Sequence, residues 1–391
     1  MKTKPFLLML GAAAFLQTTS CLVAQEWETV DQPTGSNVRA LASTADGSLY
    51  SLVWLPQADG TVLKYVRRSS DSGTSWTTVS EVLAVPATKL VSDAGNNLYI
   101  AGVNSTGDHW NVLKSEDGGQ TWAALYAGNS LAFWELYDVA VDSSGAIYVA
   151  GSSYVSGPGS QQIWTVRRGA SGNGVWNWST VDSFALTSRN NSRAQTIAIK
   201  PANVAGQPEQ VYVGGLAYPK SGDSQWIVRR SNGGTTWTTV DATSTGNQCM
   251  ALSISPVDGS VFTVGSATQP ATRKTPAITY TVVRKGTFDA TASNAIRWTE
   301  QARFVNPYAI QSLTADAFGR VFLSGSGEAP FGWRVWASPD GNAPYYVTDA
   351  FSGGTAFSVT VDMVGNVLAG GRFPDPVTGS STALVRRLSV P

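Results

Sequence analysis

The chain has 391 residues, with 39 glycines, 14 tryptophans and 27 basic against 27 acidic side chains. That balance lacks the basic field that nucleic acid or an anionic membrane demands, so neither is expected as a partner. The only histidine, His109, rules out a multi-histidine metal centre, and Cys21 and Cys249 alone cannot build a disulfide framework.

In chain order, the first feature is MKTK followed by an apolar run from Phe6 to Leu16 and small or polar residues up to Ala24. A basic start, a short apolar stretch and a small residue before a cut predict a secretory signal peptide over 1–24. The mature chain then begins at Gln25 and carries 25 basic and 27 acidic residues, a net charge of −2. A second reading makes Cys21 a lipid anchor after Thr18, Thr19 and Ser20. No segment is apolar enough for a transmembrane helix, which takes about 20 residues. A secreted, periplasmic or cell-surface location is expected.

Beyond the leader the chain repeats itself. LYDVAVDSSGAIYVAG, 136–151, is an alternating strand, an Asp-x-x-Gly turn and a second strand ending in Gly. It returns from Arg39, Lys89, Thr196, Ala251, Ser312 and Ser358, which makes seven copies. With Asp142 as the mark, the copies fall at Thr44, Asp93, Asp142, Lys200, Pro256, Asp316 and Asp362, spaced by 46 to 60 residues. Each is followed by a second motif, clearest as VRRSSDSGTSWTTV at 66–79, VLKSEDGGQTWAAL at 112–125 and VRRSNGGTTWTTVD at 228–241. Four short strands per repeat predict an all-β, seven-bladed β-propeller of four-stranded antiparallel blades, one domain over 25–391. The seventh copy ends without its fourth strand, and EWETVDQ from Glu26 matches TWTTVDA from Thr236. The N-terminal strand is therefore expected to complete the last blade.

SSDSGTSW at 69–76 and SEDGGQTW at 115–122 resemble the Asp-box, or BNR repeat. Sialidases, xyloglucanase-type glycosidases, sortilin-like receptors and a photosystem assembly factor carry that signature. The resemblance implies a propeller of that superfamily and raises glycoside hydrolysis as one activity. The residues themselves read as structural. Asp71 and Asp117 can close a turn on backbone N–H groups, Gly73 and Gly119 can take positive φ, and Trp76 and Trp122 can pack at the blade edge. The phrase Phe/Tyr-Arg-Ile-Pro of sialidases is absent, and seven blades depart from their six. Trp110, Trp164, Trp226 and Trp333 align in four repeats and Arg67, Arg167, Arg229, Arg284 and Arg386 in five, so packing and strand pairing are expected of them.

Strand direction sorts the connections. Turns between strands one and two, and between three and four, share one face and are expected to be tight and uniform. The irregular connections share the other, where function concentrates. Candidate ligand-binding residues there are Trp54, Trp134, Glu135, Tyr154, Tyr218, Lys220, Asp223, Arg273, Glu328 and Arg372. Rings beside charged groups suit a glycan or an extracellular protein. The expectation is a monomeric, non-catalytic binding propeller with no cofactor or metal. The alternative is a glycoside hydrolase pairing Glu135 with Asp223 or Glu328, since such cleavage needs two carboxylates.

Overall fold

The computed structural model describes residues 26–390 apart from 82–86, 104–108, 128–132, 156–160, 189, 203–207, 306–308, 328–331 and 375–379. The leader with Cys21, and Glu328, lie outside the described residues. Among the described residues, 28 strands form seven four-stranded antiparallel sheets, and the only helical element is a 3-10 turn, Ser293–Ala295. No helix among them is long and apolar enough to cross a membrane. This is the seven-bladed propeller that the repeat predicts.

In blades 1 to 6 the strands follow chain order from the axis outward. The innermost strands are Asn37–Ser43, Ala87–Ser92, Phe133–Val141, Ser192–Lys200, Gly246–Ile254, Ala309–Ala315 and Thr355–Val361. The second strands are buried almost throughout, as Gln210–Ala217 is in blade 4. The ring closes as expected: Glu28–Asp31 is the outer strand of blade 7, with Glu28 opposite Arg387 and Thr29 opposite Arg386. Arg387 Nε donates to Glu28 Oε1 at 2.9 Å, and Nη1 reaches across to the Ser72 carbonyl of blade 1 at 2.7 Å.

Two repeated side-chain devices join neighbouring blades. The first is a buried tryptophan lying over a glycine of the next blade. Trp110 covers Gly151, Trp164 covers Gly215, Trp226 covers Gly265 and Trp333 covers Gly371, and a Cβ on any of these glycines would come within 2.8 Å of the ring. All four rings are essentially inaccessible to solvent, which leaves them no surface for a ligand. The second device is an ion pair from the third strand of one blade to the outer strand of the blade before it. Arg67 pairs with Asp31 at 2.8 Å, Arg229 with Asp182 at 2.7 Å, Arg284 with Asp241 at 2.9 Å and Arg386 with Asp349 at 3.0 Å. Arg167 meets the Tyr126 hydroxyl instead. The two remaining interfaces set Leu113 after Ser80 and Trp336 after Ala302, where no charge needs an answer. Burial raises the carboxyl pKa of Asp241 and Asp31 despite their arginines, so desolvation offsets much of the attraction.

The turns of one face are closed by carboxylates. Asp71 accepts from Ser75 N at 2.9 Å, Ser75 Oγ at 2.6 Å and Ser69 Oγ at 2.7 Å, and Trp76 Nε1 donates to the Gly73 carbonyl at 3.1 Å. Asp117 does the same for Thr121 and Ser115. Gly73 and Gly119 sit at φ +86° and +87°, as their turns require. Asp142, Asp316 and Asp362 each take two backbone N–H groups of the shorter turns. One position needs correction. In blade 5 the mark falls on Ser255 rather than Pro256, because Ser255 N bonds Ser260 O whereas Asp142 N bonds Ala146 O. That turn holds one extra residue.

Candidate functional site

All seven innermost strands carry a β-bulge at the same place, five residues before the mark. In blade 1, Val38 faces Val53 and Ala40 faces Leu52, so Arg39 is the extra residue. The same slip leaves Thr88, Tyr137, Gln195, Met250, Gln311 and Phe357 unpaired in the other blades. A bulge turns a side chain away from the alternation of its strand. Here it turns all seven towards the axis, where together they line a cavity of about 370 Å³ at the open end of the channel. Lys89, Glu135, Gln248 and the apolar Val103, Leu136 and Ile310 complete the wall. A smaller chamber of about 160 Å³ continues inward between the same strands, reaching Asp138 and Thr196.

The acids of this mouth are committed. Asp138 is buried and accepts from Ile197 N at 3.0 Å, Val139 N at 3.0 Å and Thr196 Oγ1 at 3.2 Å, with Lys89 Nζ at 3.7 Å. It ties blades 2, 3 and 4 together. Glu135 accepts from the Tyr137 hydroxyl and lies 3.7 Å from Arg193 Nε, which also donates to Gln162 Oε1 at 2.6 Å. Burial first, and then the Glu135 carboxylate, push the Tyr137 phenol well above its usual range. Across the ring, Gln195 Nε2 donates to Gln248 Oε1 at 3.1 Å, while Gln195 Oε1 is buried without a partner.

Arg39 and Phe357 of the lining cluster with Trp54 and Arg372. The Arg39 guanidinium lies 4.9 Å from the centre of the Trp54 ring and 4.5 Å from that of Phe357, and Arg372 lies 5.7 Å from Phe357 on its own account. Trp54 is fixed by donating Nε1 to the Ala87 carbonyl at 2.8 Å. Burial, then repulsion from Arg372, lower the Arg39 pKa, yet a guanidinium stays charged in a protein.

Of the residues named from sequence, Glu135 lines the cavity, and Trp54 and Arg372 stand beside it against Arg39 and Phe357 of the lining. Tyr154 is half-buried near the end of Ile147–Val155. Tyr218, Lys220 and Asp223 are exposed together in the connection after Gln210–Ala217, and Arg273 is exposed in the one after Val261–Gln269. None of these five is among the residues lining the axial cavity. Trp134 belongs to the strand Phe133–Val141, with its side chain outside the described residues, as is Glu328. The bulge ring itself escaped sequence reasoning, although its signal was present as a constant offset from the turn mark.

The turn face is less uniform than its repeats suggest. In blade 3 the outer hairpin runs on to Gly172 and Val175 around a two-residue turn, Asn173–Gly174. Its overhang and the small Ala123 of blade 2 leave a cavity of about 570 Å³, with Trp176 on one wall and Asp117 and Thr121 on the other. Of its carboxylates, Asp93 and Asp117 already serve their own turns, and Glu116 pairs with Lys114.

No family model matches the chain, and no curated protein matches it. Solved structures do. Hydrazine synthase of Kuenenia stuttgartiensis superposes with a TM-score of 0.56 at 11% identity, covering 90% of this chain and 96% of that one. YCF48 bound to D1 peptide gives 0.51 at 13% identity, covering 93% and 97%. The GH93 α-L-arabinofuranosidase of Fusarium graminearum with arabinobiose gives 0.48 at 12% identity, covering 77% and 92%. At such identities the likeness is one of fold. The chain is a seven-bladed propeller.

Proposed function

We propose that this chain is an exported, non-catalytic propeller that binds a glycan at the axial mouth on its irregular-loop face. The observation that supports it is the bulge ring. Seven equivalent backbone positions present Arg39, Thr88, Tyr137, Gln195, Met250, Gln311 and Phe357 to one cavity. A cavity of this size with apolar walls and a few directed polar groups suits a small or terminal ligand portion. Glutamine amides and hydroxyls offer the alternating donors and acceptors that a polyhydroxylated ligand uses. The turns at Asp71 and Asp117 fit the Asp-box resemblance and act as closures.

The lining offers one carboxylate, Glu135, held by Tyr137 and Arg193, with Asp138 spent on backbone groups further in. That distribution favours binding over two-carboxylate hydrolysis. The test is a glycan array probed with the full-length chain, run beside hydrolysis assays on the retained glycans. Retention without turnover is expected. Turnover that Glu135→Gln abolishes would establish the hydrolase instead, and capture of protein ligands with no glycan retained would refute the glycan reading.

A further inference from the structure

Arg39 occupies an expensive position. Its Nε is buried without a hydrogen-bond partner, and no carboxylate pairs with Arg39 or Arg372 among the described residues. Burying an unpaired charge is costly, and arginine cannot escape by losing its proton. The nearby acids do not answer it: Asp138 is engaged by Lys89, and Glu135 by Arg193 and Tyr137. The Trp54 and Phe357 rings both lie close to the Arg39 guanidinium carbon, at 4.9 and 4.5 Å from their centres, and ring faces stabilise a cation there. Ring contacts of this kind form no hydrogen bond and leave the N–H edge uncommitted. That edge is the part that meets a planar anion through two parallel hydrogen bonds. Arg372, exposed and 5.7 Å from the centre of the Phe357 ring, adds a second uncompensated charge.

We propose that the axial mouth takes an anionic glycan, with the ligand's negative group held by Arg39 and Arg372 and its hydroxyls by the glutamines opposite. The proposal rests on the glycan reading above and specifies its charge. The second half of the site supplies the reason for a sugar rather than a bare anion. The partnerless Gln195 Oε1 is a buried acceptor awaiting a donor, which a sugar hydroxyl provides and a bare sulfate or carboxylate does not. A uronate carboxylate and a sulfate ester share the chemistry that the guanidinium edge recognises.

Three probes decide it: a neutral oligosaccharide, the same backbone bearing a uronate, and the same backbone bearing a sulfate ester. Each is titrated calorimetrically into the full-length chain at fixed ionic strength. At least one charged probe is expected to bind about tenfold or more tightly than the neutral one, the scale of a charge-assisted hydrogen bond. That advantage is expected to shrink as salt rises. Which charged probe wins identifies the source of the anion, and either upholds the proposal. Arg372→Gln, at an exposed position, is expected to remove most of the advantage. Arg39→Gln is expected to remove it entirely, and should that variant fail to fold, Arg372→Gln alone decides. Gln195→Ala is expected to weaken all three probes together. Equal affinity for charged and neutral probes would overturn the anionic inference and spare the glycan reading. If no oligosaccharide binds, both fall, and binding of an acidic peptide in their place would show that the arginines serve a different ligand.

Discussion

The two ends of this propeller are built on the same repeat and use their side chains in opposite ways. On the turn face, Asp71, Asp117, Asp142, Asp316 and Asp362 recur because each turn has backbone N–H groups that must find an acceptor. At the axial mouth the bulge leaves one side chain per blade with no such duty, and seven blades show six different residue types there, glutamine alone occurring twice. Where the backbone makes a demand, the repeats agree. Where it makes none, they diverge, and a site can be assembled from the differences.

The comparison breaks most severely if the joints between blades fail, since both faces depend on them. Trp164→Ala removes a fully buried ring that packs over Gly215. A loss of about 3–5 kcal/mol is expected from such a truncation, read as a fall in the denaturant midpoint. An unchanged midpoint would mean that the blades cohere without these rings.

Next in size are the ion pairs. Asp182→Ala strands the buried Arg229 and is expected to cost about 3 kcal/mol or more. The chain itself suggests the repair, because its interfaces at Ser80 with Leu113 and Ala302 with Trp336 manage without charge. Asp182→Ser combined with Arg229→Leu is expected to recover most of the loss, to within about 1 kcal/mol of the parent chain. If the double variant is no better than the single one, the arginine holds more than its carboxylate.

The joints and turns repeat along the chain and so left a trace in the sequence: the aligned tryptophans pack between blades, and four of the five aligned arginines pair with a carboxylate of the preceding blade. The closing strand was legible too, since Glu28–Asp31 supplies the strand that the seventh copy lacks. The mouth was read only in part. Trp54, Glu135 and Arg372 were singled out, whereas Arg39, Tyr137 and Phe357 were not, because a bulge is a slip in hydrogen-bond register and leaves no mark in residue type. In blade 5 the extra residue between Ser255 and Ser260 also displaced the alignment by one, which hid Met250 from the constant offset. Tyr218, Lys220 and Asp223 shared the right face without reaching the axis, since face follows from chain direction but distance from the axis does not.

A smaller effect tests whether the turn carboxylates are closures. Hydrogen bonds from Ser75 hold the Asp71 carboxyl down to about 2, below its usual 3.8. A lowered folded-state pKa means that its contribution is present in full above 3.8 and is lost as pH falls towards about 2. Asp71→Asn is therefore expected to flatten the dependence of the urea midpoint on pH in that window. It is expected to leave ligand affinity at the mouth unchanged. A shift in affinity instead would tie the turn face to binding and undo the division between the two ends.

The smallest stability effect carries the sharpest contrast. Gln311 is a bulge residue on the cavity wall, outside the strand ladder in its side-chain role and half-buried. If the ring is free of structural duty, Gln311→Ala should move the unfolding free energy by no more than about 0.5 kcal/mol, the range of substitutions that break no packing or buried network. The same change should weaken ligand binding measurably, because the amide is then spent on the ligand alone. Stability and affinity thus separate at the mouth, whereas at Trp164 they fall together. A Gln311→Ala chain that loses stability as a joint residue does would mean that the seven bulges hold the ring closed, and their diversity would then need a packing explanation in place of a ligand.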